Sequence, residues 1–492
     1  MSRKINHLHP VTVAISFFSS LKNFVIPIAV ILGGKGFHYS LNPNNPHFIG
    51  TLISGGCVLL VLCTILIMSI IKWRKFVYWF EKEELRIEHG VFVKKKRYIP
   101  FERIQSLNYK EGILHRPFKL VKVSIETAAD NKGEAEADLI AITREQATMI
   151  EIEMKNAKQH EDHSKQINNF NQIEQKKKRS IIHQMSTKDL LILATTSSGI
   201  GVVFSGLAAI ISQFDDWIPY EHIYGEFQNF IKFGVLMIGI VTLIVLMISW
   251  LLSVAITFVN NYGFVVEKEE DKLFVSKGLL EKKSITIPMK RIQGIRIVEN
   301  PFRQFFGYAT IVIESAGSSG EKDDKKIVML PIVKKQQGLM VLKKLFPEMD
   351  WDFQLQRAPK KALFRYILKH VYWLIPIATL VTCFTFPYGL WLFLLLPFVV
   401  LLGVWQHRSA GYAIRNGQLT ITYRGISQTT FVTVKKRIQS ISLSQSYFAK
   451  RKNLATVSVH IMSGTFGSVA EIKHFDIVKM EEVFNWYEPN FR

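Results

Sequence analysis

The chain is poor in the residues from which most catalytic and stapled sites are built. Its 492 residues include only three cysteines, Cys57, Cys63 and Cys383, each inside an apolar run. No CxxC or Cys/His ligand spacing is present, which excludes a disulfide framework and a zinc site of recognisable pattern. No GxxxxGK[ST], no GxGxxG on a strand–helix turn and no HExxH occurs, so phosphate-cradling and zincin chemistries have no foothold. The "HEDH" at 160–163 lies in a polar stretch beside "NNFNQIEQKKKR" and reads as solvated linker, while "SAGSSG" at 315–320 reads as a hairpin loop. Negative charge is also scarce: 40 Asp and Glu face 62 Lys and Arg, a formal charge of +22. A surface with that balance is drawn to anionic partners.

Long hydrophobic runs are what the sequence has in excess. They lie at 24–34, 48–71, 190–212, 233–258, 371–386 and 388–406, in three pairs. A membrane span takes about 20 apolar residues, and the short last pair is joined by a Pro-Tyr-Gly turn suited to a helical hairpin. Residues 8–22 and 360–370 precede the first and third pairs and are expected to be interfacial helices, with Lys22 and Lys369 snorkelling to headgroups. No small-residue cleavage site follows the first run, which argues against a signal peptide. The central runs contain no ionisable residue that would line a transport path. Prolines 27, 376 and 397 read as structural kinks.

Charge sets the expected orientation. The segments between paired runs hold only Lys35 and Lys232 as basic residues, and the middle one carries Asp215, Asp216, Glu221 and Glu226. The outer flanks carry Arg3, Lys4, Lys72, Arg74, Lys75, "KKKR" at 176–179, Lys360, Lys361 and Arg365. The positive-inside rule then places both termini and all large polar segments in the cytoplasm.

Each pair of runs is followed by a polar segment, and the three segments are copies of one pattern. "PFERIQSL" (100–107), "PMKRIQGI" (288–295) and "VKKRIQSI" (434–441) align without gaps. A leucine stands eighteen residues before each motif arginine (Leu85, Leu273, Leu419), and an alternating strand begins eighteen residues after it: "VKVSIETA", "ATIVIESA", "ATVSVHIM". Turn glycines Gly90, Gly278 and Gly425 lie between; the third is displaced by one position, which predicts an altered turn. Helical stretches at 143–157, 332–346 and 476–487 end the copies. Short antiparallel strands closed by one amphipathic helix predict a small open barrel plugged by that helix.

This pattern resembles the bacterial pleckstrin-homology-like (PH-like) domain of the second type. The threefold layout resembles the YdbS/YdbT-like membrane proteins, in particular the larger, three-domain kind, over nearly the whole chain. The third copy departs from the motif with Val434 in place of proline. The resemblance implies a PH-like barrel and brings no biochemical activity with it. It also implies one partner, a smaller single-PH-domain membrane relative.

The expected protein is therefore an α+β membrane protein, with six transmembrane helices in three hairpins alternating with three PH-like split β-barrels, each capped by a C-terminal helix. The boundaries read 1–74 for the first interfacial helix and hairpin, 75–157 for the first PH-like domain and 158–185 for a polar linker. They continue with 186–258 for the second hairpin, 259–350 for a second domain able to fold alone, 351–407 for the third interfacial helix and hairpin, and 408–492 for the third domain. The expected role is a non-enzymatic scaffold in the bacterial cell membrane, without cofactor or metal, contacting protein partners, anionic lipid headgroups or both, and not nucleic acid. The alternative is a component of a cell-envelope defence or export complex. Candidate lipid- or partner-binding residues are Arg103, Arg291 and Arg437 of the motif, Lys94, Lys95, Lys96 and Arg97 before the first copy of it, and Lys435 and Lys436 within the third. The competing reading of the motif is structural: Ile104, Ile292 and Ile438 point into a core, and Arg and Gln flank them.

Overall fold

A computed structural model describes residues 5–33, 48–81, 83–127, 137–163, 179–197, 205, 234–316, 327–463 and 467–487. The chain repeats one arrangement three times. In the first repeat, β1 (Asn6–His7) is followed by the helices Val11–Gly33 and Phe48–Arg74, after which β2 (Val77–Glu81), β3 (Glu84–His89) and β4 (Lys95–Pro100) complete a sheet in the order β1-β2-β3-β4. A turn of 3-10 helix, Phe101–Arg103, then carries the chain into a second set of strands: β5 (Ile104–Glu111), β6 (Leu120–Thr127) and β7 (Ala137–Thr143). The helix Arg144–His163 closes the repeat.

The second repeat runs β8 (Ser180–Gln184), helices Thr187–Thr195 and Gly234–Asn261, β9 (Val265–Glu269), β10 (Lys272–Lys277), β11 (Lys282–Pro288), β12 (Ile292–Glu299), β13 (Tyr308–Ser315), β14 (Ile327–Lys334) and helix Lys335–Leu345. The third runs β15 (Gln356–Arg357), helix Leu363–Thr385, a 3-10 segment Tyr388–Leu395 leading into helix Leu396–Ser409, then β16 (Gly411–Arg415), β17 (Gln418–Arg424) and β18 (Gln428–Val434). It ends with β19 (Ile438–Ser444), β20 (Leu454–Ile461), β21 (Ser468–Asp476) and helix Ile477–Tyr487.

Two boundaries differ from the sequence reading. Each repeat begins before its apolar helices, because β1, β8 and β15 pair with β2, β9 and β16 at equivalent positions: His7 with Val77, Gln184 with Val265, Arg357 with Gly411. Residues 180–184 are thus a strand and not part of a linker, and residues 160–163 end the helix Arg144–His163. Strands this short carry too little periodicity to be seen in sequence. The expected interfacial helices at 8–22 and 360–370 are not separate elements. Val11–Gly33 and Leu363–Thr385 each run unbroken, the latter with Pro376 inside it.

Four described helical segments are long and apolar enough to cross a membrane: Ile49–Arg74, Thr242–Asn261, Lys360–Thr385 and Tyr388–Ser409. They expose leucines and aromatics such as Leu60, Leu243 and Phe384, as lipid-facing helices do. Of the run expected at 190–212, only Thr187–Thr195 and the residues to 197, with 205, are described; the rest lies outside the described residues.

The sheets do not stop at the repeats. The last three strands of one repeat and the first four of the next form one sheet, β7-β6-β5-β11-β10-β9-β8 and then β14-β13-β12-β18-β17-β16-β15. The linking pairs are antiparallel and share one register. Glu111 faces Lys282 at the first junction and Glu299 faces Gln428 at the second, and each glutamate stands eight residues after its motif arginine. The expectation that 259–350 is a self-sufficient domain is therefore corrected. Its first strand lies upstream, both of its sheets are completed by neighbours, and its core takes in Leu190, Leu193 and Val432. Two further cores lie in the first and third repeats.

The turns behave as the displaced glycine implied. Gly90 and Gly278 have φ of 121° and 110°, with Val93 O and Glu281 O only 1.9 and 2.0 Å from where a Cβ would stand. In the third copy Arg424 pairs with Gln428, leaving the loop 425–427, and Gly425 needs no positive φ.

Gly294, the seventh residue of the second motif, makes the tightest approach at the second junction. A Cβ there would lie 2.6 Å from Phe431 Cε2 and 3.2 Å from Ile461 Cδ1. Gly294→Val should cost about 1–3 kcal/mol by overpacking, read as a lower midpoint of thermal unfolding in detergent. Adding Phe431→Leu should recover part of the loss; recovery is absent if the two residues do not press on one another.

Candidate functional site

The thrice-written motif is the corner where the chain leaves one sheet for the next. Pro100 and Pro288 open the 3-10 turns with φ of −59° and −65°, the angle a pyrrolidine ring imposes. Val434 opens the third with φ of −103°, so the turn forms without proline. The isoleucine then starts the next strand and is buried in all copies (Ile104, Ile292, Ile438). The register slips at the following glutamine each time, between Ile104 and Ser106, Ile292 and Gly294, Ile438 and Ser440. A bulge at that place bends the strand and turns it into the second sheet.

The arginines before these isoleucines have three different fates. Arg291 reaches back across the first junction, with Nη1 3.4 Å from Glu126 Oε2. Glu126 is buried and also accepts from Ser106 Oγ at 2.6 Å and Asn108 Nδ2 at 2.8 Å. Asn108 Oδ1 in turn accepts from the Thr286 amide at 3.0 Å, and Thr286 Oγ1 donates to Leu107 O at 3.0 Å. Arg103 is exposed and Arg437 half-buried, and neither makes a hydrogen bond or ion pair among the described residues.

The second junction repeats the device with a heavier charge. Glu314 stands where Glu126 does and is paired with Arg296, the side chains being 0% and 4% exposed. Arg296 also donates to the Tyr423 hydroxyl and, at 2.8 Å, to Ser468 Oγ of the third repeat, and it lies 4.6 Å from the centre of the Phe431 ring. Arg424 Nη2 donates to Gln304 Oε1 and Gln428 Oε1, both at 2.7 Å, and Thr433 Oγ1 to Gln293 O at 2.8 Å. A charge this buried must be paired, since its desolvation is repaid only by close partners. Sequence reasoning missed both carboxylates. Their signal was an acid in the middle of an otherwise apolar alternation, in "SIETA" and "VIESA", where the third copy has His460.

The remaining basic candidates do not converge on one point. Lys94, Lys95, Lys96 and Arg97 run into and along β4 at the start of the array, one turn before Arg103. Lys94 and Lys96 hold Glu88 at 2.6 and 3.0 Å, and their hydrogen bonds keep its carboxyl below the usual range. Burial, with Arg97 and Lys95 nearby, lowers the pKa of His89. Lys435 donates to Trp486 O at 2.6 Å and lies 5.5 Å from the centre of that ring, which commits it to the closing helix. Lys436 is exposed.

A second feature was not read from sequence: a tip between the first two strands of each second sheet, at 112–119, 300–307 and 445–453. Leu114, Phe302 and Phe448 occupy one position, eleven residues after the motif arginine. Phe302 and Phe448 are 75% and 68% exposed, with Phe118, Phe305, Phe306 and Tyr447 also exposed nearby. Arg116 and Lys119, Arg303, and Lys450 to Lys452 are interleaved with them. The first tip touches the approach to a long helix, with Phe118 and His9 ring centroids 5.9 Å apart; in the second, Arg303 Nε donates to Thr196 Oγ1 at 2.9 Å. Exposed aromatics interleaved with arginine and lysine beside apolar helices are what a membrane interface accommodates.

Between the last hairpin and the third repeat lies a cavity of about 560 Å³, lined among others by Tyr366, Lys369, Arg424, Ile426 and His474. Burial, followed by Arg365, Lys473 and Lys369, pushes His474 down from 6.5 to about 4. Among the described residues no group of three or more His, Cys, Asp and Glu side chains is placed to hold a metal.

Comparison with known proteins accords with the threefold layout. The family model "Bacterial PH domain" matches residues 25–158, 203–348 and 367–490. The chain is similar to the UPF0699 transmembrane protein YdbT of Bacillus subtilis (strain 168), 33% identical over 99% of both chains. It is also similar to the UPF0699 transmembrane protein YdbS of that organism, 27% identical over 105 residues, which are 21% of this chain and 62% of that one. No solved structure matches.

Two measurements follow from the geometry. Glu314→Gln leaves Arg296 charged, buried and short of its counter-ion, so it should lower stability by about 3–5 kcal/mol, measured by denaturation in detergent; a neutral result would mean that the pair is not formed. For His474 the folded-state pKa lies below the unfolded one. Its contribution is therefore fully present above pH 6.5 and drains away as pH falls toward 4. His474→Gln should flatten the stability profile across that window and leave it unchanged above pH 7.

Proposed function

The chain belongs to the UPF0699 family of transmembrane proteins built on bacterial PH domain repeats, and from that premise we propose that it is a non-enzymatic membrane scaffold. In this reading six spans form three hairpins. Each is inserted between the first and second strands of a PH-like split barrel, and all three barrels face the cytoplasm, where they meet anionic headgroups and a protein partner. The observation that carries the reading is the continuity of the sheets. Three modules joined edge to edge at two junctions of one register are held at fixed spacing, which suits a platform.

Three further facts support it. The strand preceding each hairpin pairs with the strand following it, so both limbs of a hairpin leave from the same edge of a module. The first two aromatic and basic tips border the approach to the hairpin helices. The buried charged groups at the junctions are engaged there, Arg291 with Glu126 across the first and Arg296 with Glu314 and on to Ser468 of the third repeat at the second, which is a structural use of charge.

Topology is testable by single cysteines in intact cells, on a background lacking the native three. Positions 44, 221 and 387 should react with an impermeant thiol reagent, and positions 95, 282 and 435 should not. Labelling of any of the latter from outside would overturn the arrangement. For the tips, nitroxides at Phe302 and Phe448 in reconstituted acidic liposomes should collide with lipid-soluble oxygen more than with a water-soluble quencher. The reverse order would remove the headgroup contact from the proposal.

A further inference from the structure

The two junctions are copies of one interface, and among the described residues the first repeat carries an unfilled half of a third. At each junction the last strand of a four-stranded set, β11 or β18, receives the first strand of the preceding repeat's second sheet, β5 or β12. The corresponding strand of the first repeat is β4, and it is the terminal strand of its sheet among the described residues. Equivalent positions show the difference. Thr286 and Val432, five residues before their motif arginines, are 8% and 0% exposed, and Tyr98 at the same place is 52% exposed. An open edge offers a row of unmatched N–H and C=O groups to an incoming strand.

Charge says what kind of strand fits. Arg103 occupies the position of Arg291, which reaches Glu126 across the first junction, and Lys94 that of Lys282, which is opposite Glu111 in register while the Glu111 carboxylate is held by Arg144. Among the described residues, the complementary edge on this chain is β19. There the position of Glu111 and Glu299 is held by Gln445, and that of Glu126 and Glu314 by His460. A second copy would thus set a strongly basic edge against a neutral one, with no carboxylate for Arg103. A lipid surface could meet the lysines but supplies no ladder of hydrogen bonds.

We propose that β4 is the docking edge for a PH-like module on a separate polypeptide. That module's second-sheet edge strand pairs antiparallel with β4 in the register of the two internal junctions. It carries an acidic residue at the position corresponding to Glu126, facing Arg103. The proposal rests on the scaffold reading and names its protein partner by chemistry: an acidic-edged relative of the chain's own repeats.

The test uses the full-length chain in its native membranes, with benzoylphenylalanine in place of Tyr98 and, as a control, in place of Phe305. Irradiation should give an adduct at position 98 with a different protein containing such a module. The joined peptide should lie in the strand just after that protein's own turn into its second sheet. Arg103→Glu should reduce the adduct about tenfold and leave the unfolding midpoint unchanged. Adducts to lipid alone, to a second copy alone or to a protein without such a strand would overturn the proposal, as would a yield no higher than at position 305. None of these outcomes alters the cysteine labelling pattern, so failure here is separable from failure of the scaffold reading.

Discussion

The architecture depends on antiparallel pairing between repeats, β5 with β11 and β12 with β18. Each of these strands would otherwise be a sheet edge, and a protein with several long edges is prone to unwanted association. Joining the edges internally removes four of them. It also fixes the angle and spacing of the modules, because a main-chain ladder tolerates no sliding when each strand has a buried face. The motif corner serves the same end: the bulge at its glutamine turns the chain so that the second sheet of one repeat presents its edge to the first sheet of the next.

Polar groups at the junctions add specificity to a ladder that is sequence-blind by itself. Glu126 gathers Ser106, Asn108 and Arg291, and Glu314 gathers Arg296 and Ser468. A register slip of one residue would separate these partners and leave buried charges uncompensated, at a cost well above that of a lost backbone hydrogen bond. The two junctions solve the same problem with different residues. At the first the cation comes from the following repeat, and at the second Arg296 comes from the same repeat as its carboxylate and reaches on to the next.

Much of this was legible in sequence, and the part that was not has a physical reason. The strands around Leu85, Leu273 and Leu419, the buried motif isoleucines, the closing helices and the altered third turn all follow from local periodicity and turn chemistry. Pairing between repeats leaves no local trace, because β11 alternates in the same way whether its neighbour is β5 or water. The strand 180–184 reads as linker in sequence because five residues beside a basic run carry no resolvable period. The tip aromatics Phe302 and Phe448 were overlooked because single exposed aromatics are unremarkable until the fold shows them recurring at one place.

An interface that joins the head of one module to the tail of the next does not close on itself, and unless something stops it the same contact can propagate into an open chain. The third repeat disfavours it. His460 and Gln445 stand where the earlier repeats place their carboxylates, so β19 lacks the partners that a basic edge such as β4 requires. The exposed residues of β19, Gln439, Ser440, Ser442 and Ser444, leave it a neutral edge with little to hold a strand in register. The two ends of the array are therefore not complementary in charge, and a second copy has no carboxylate at position 460 to offer Arg103.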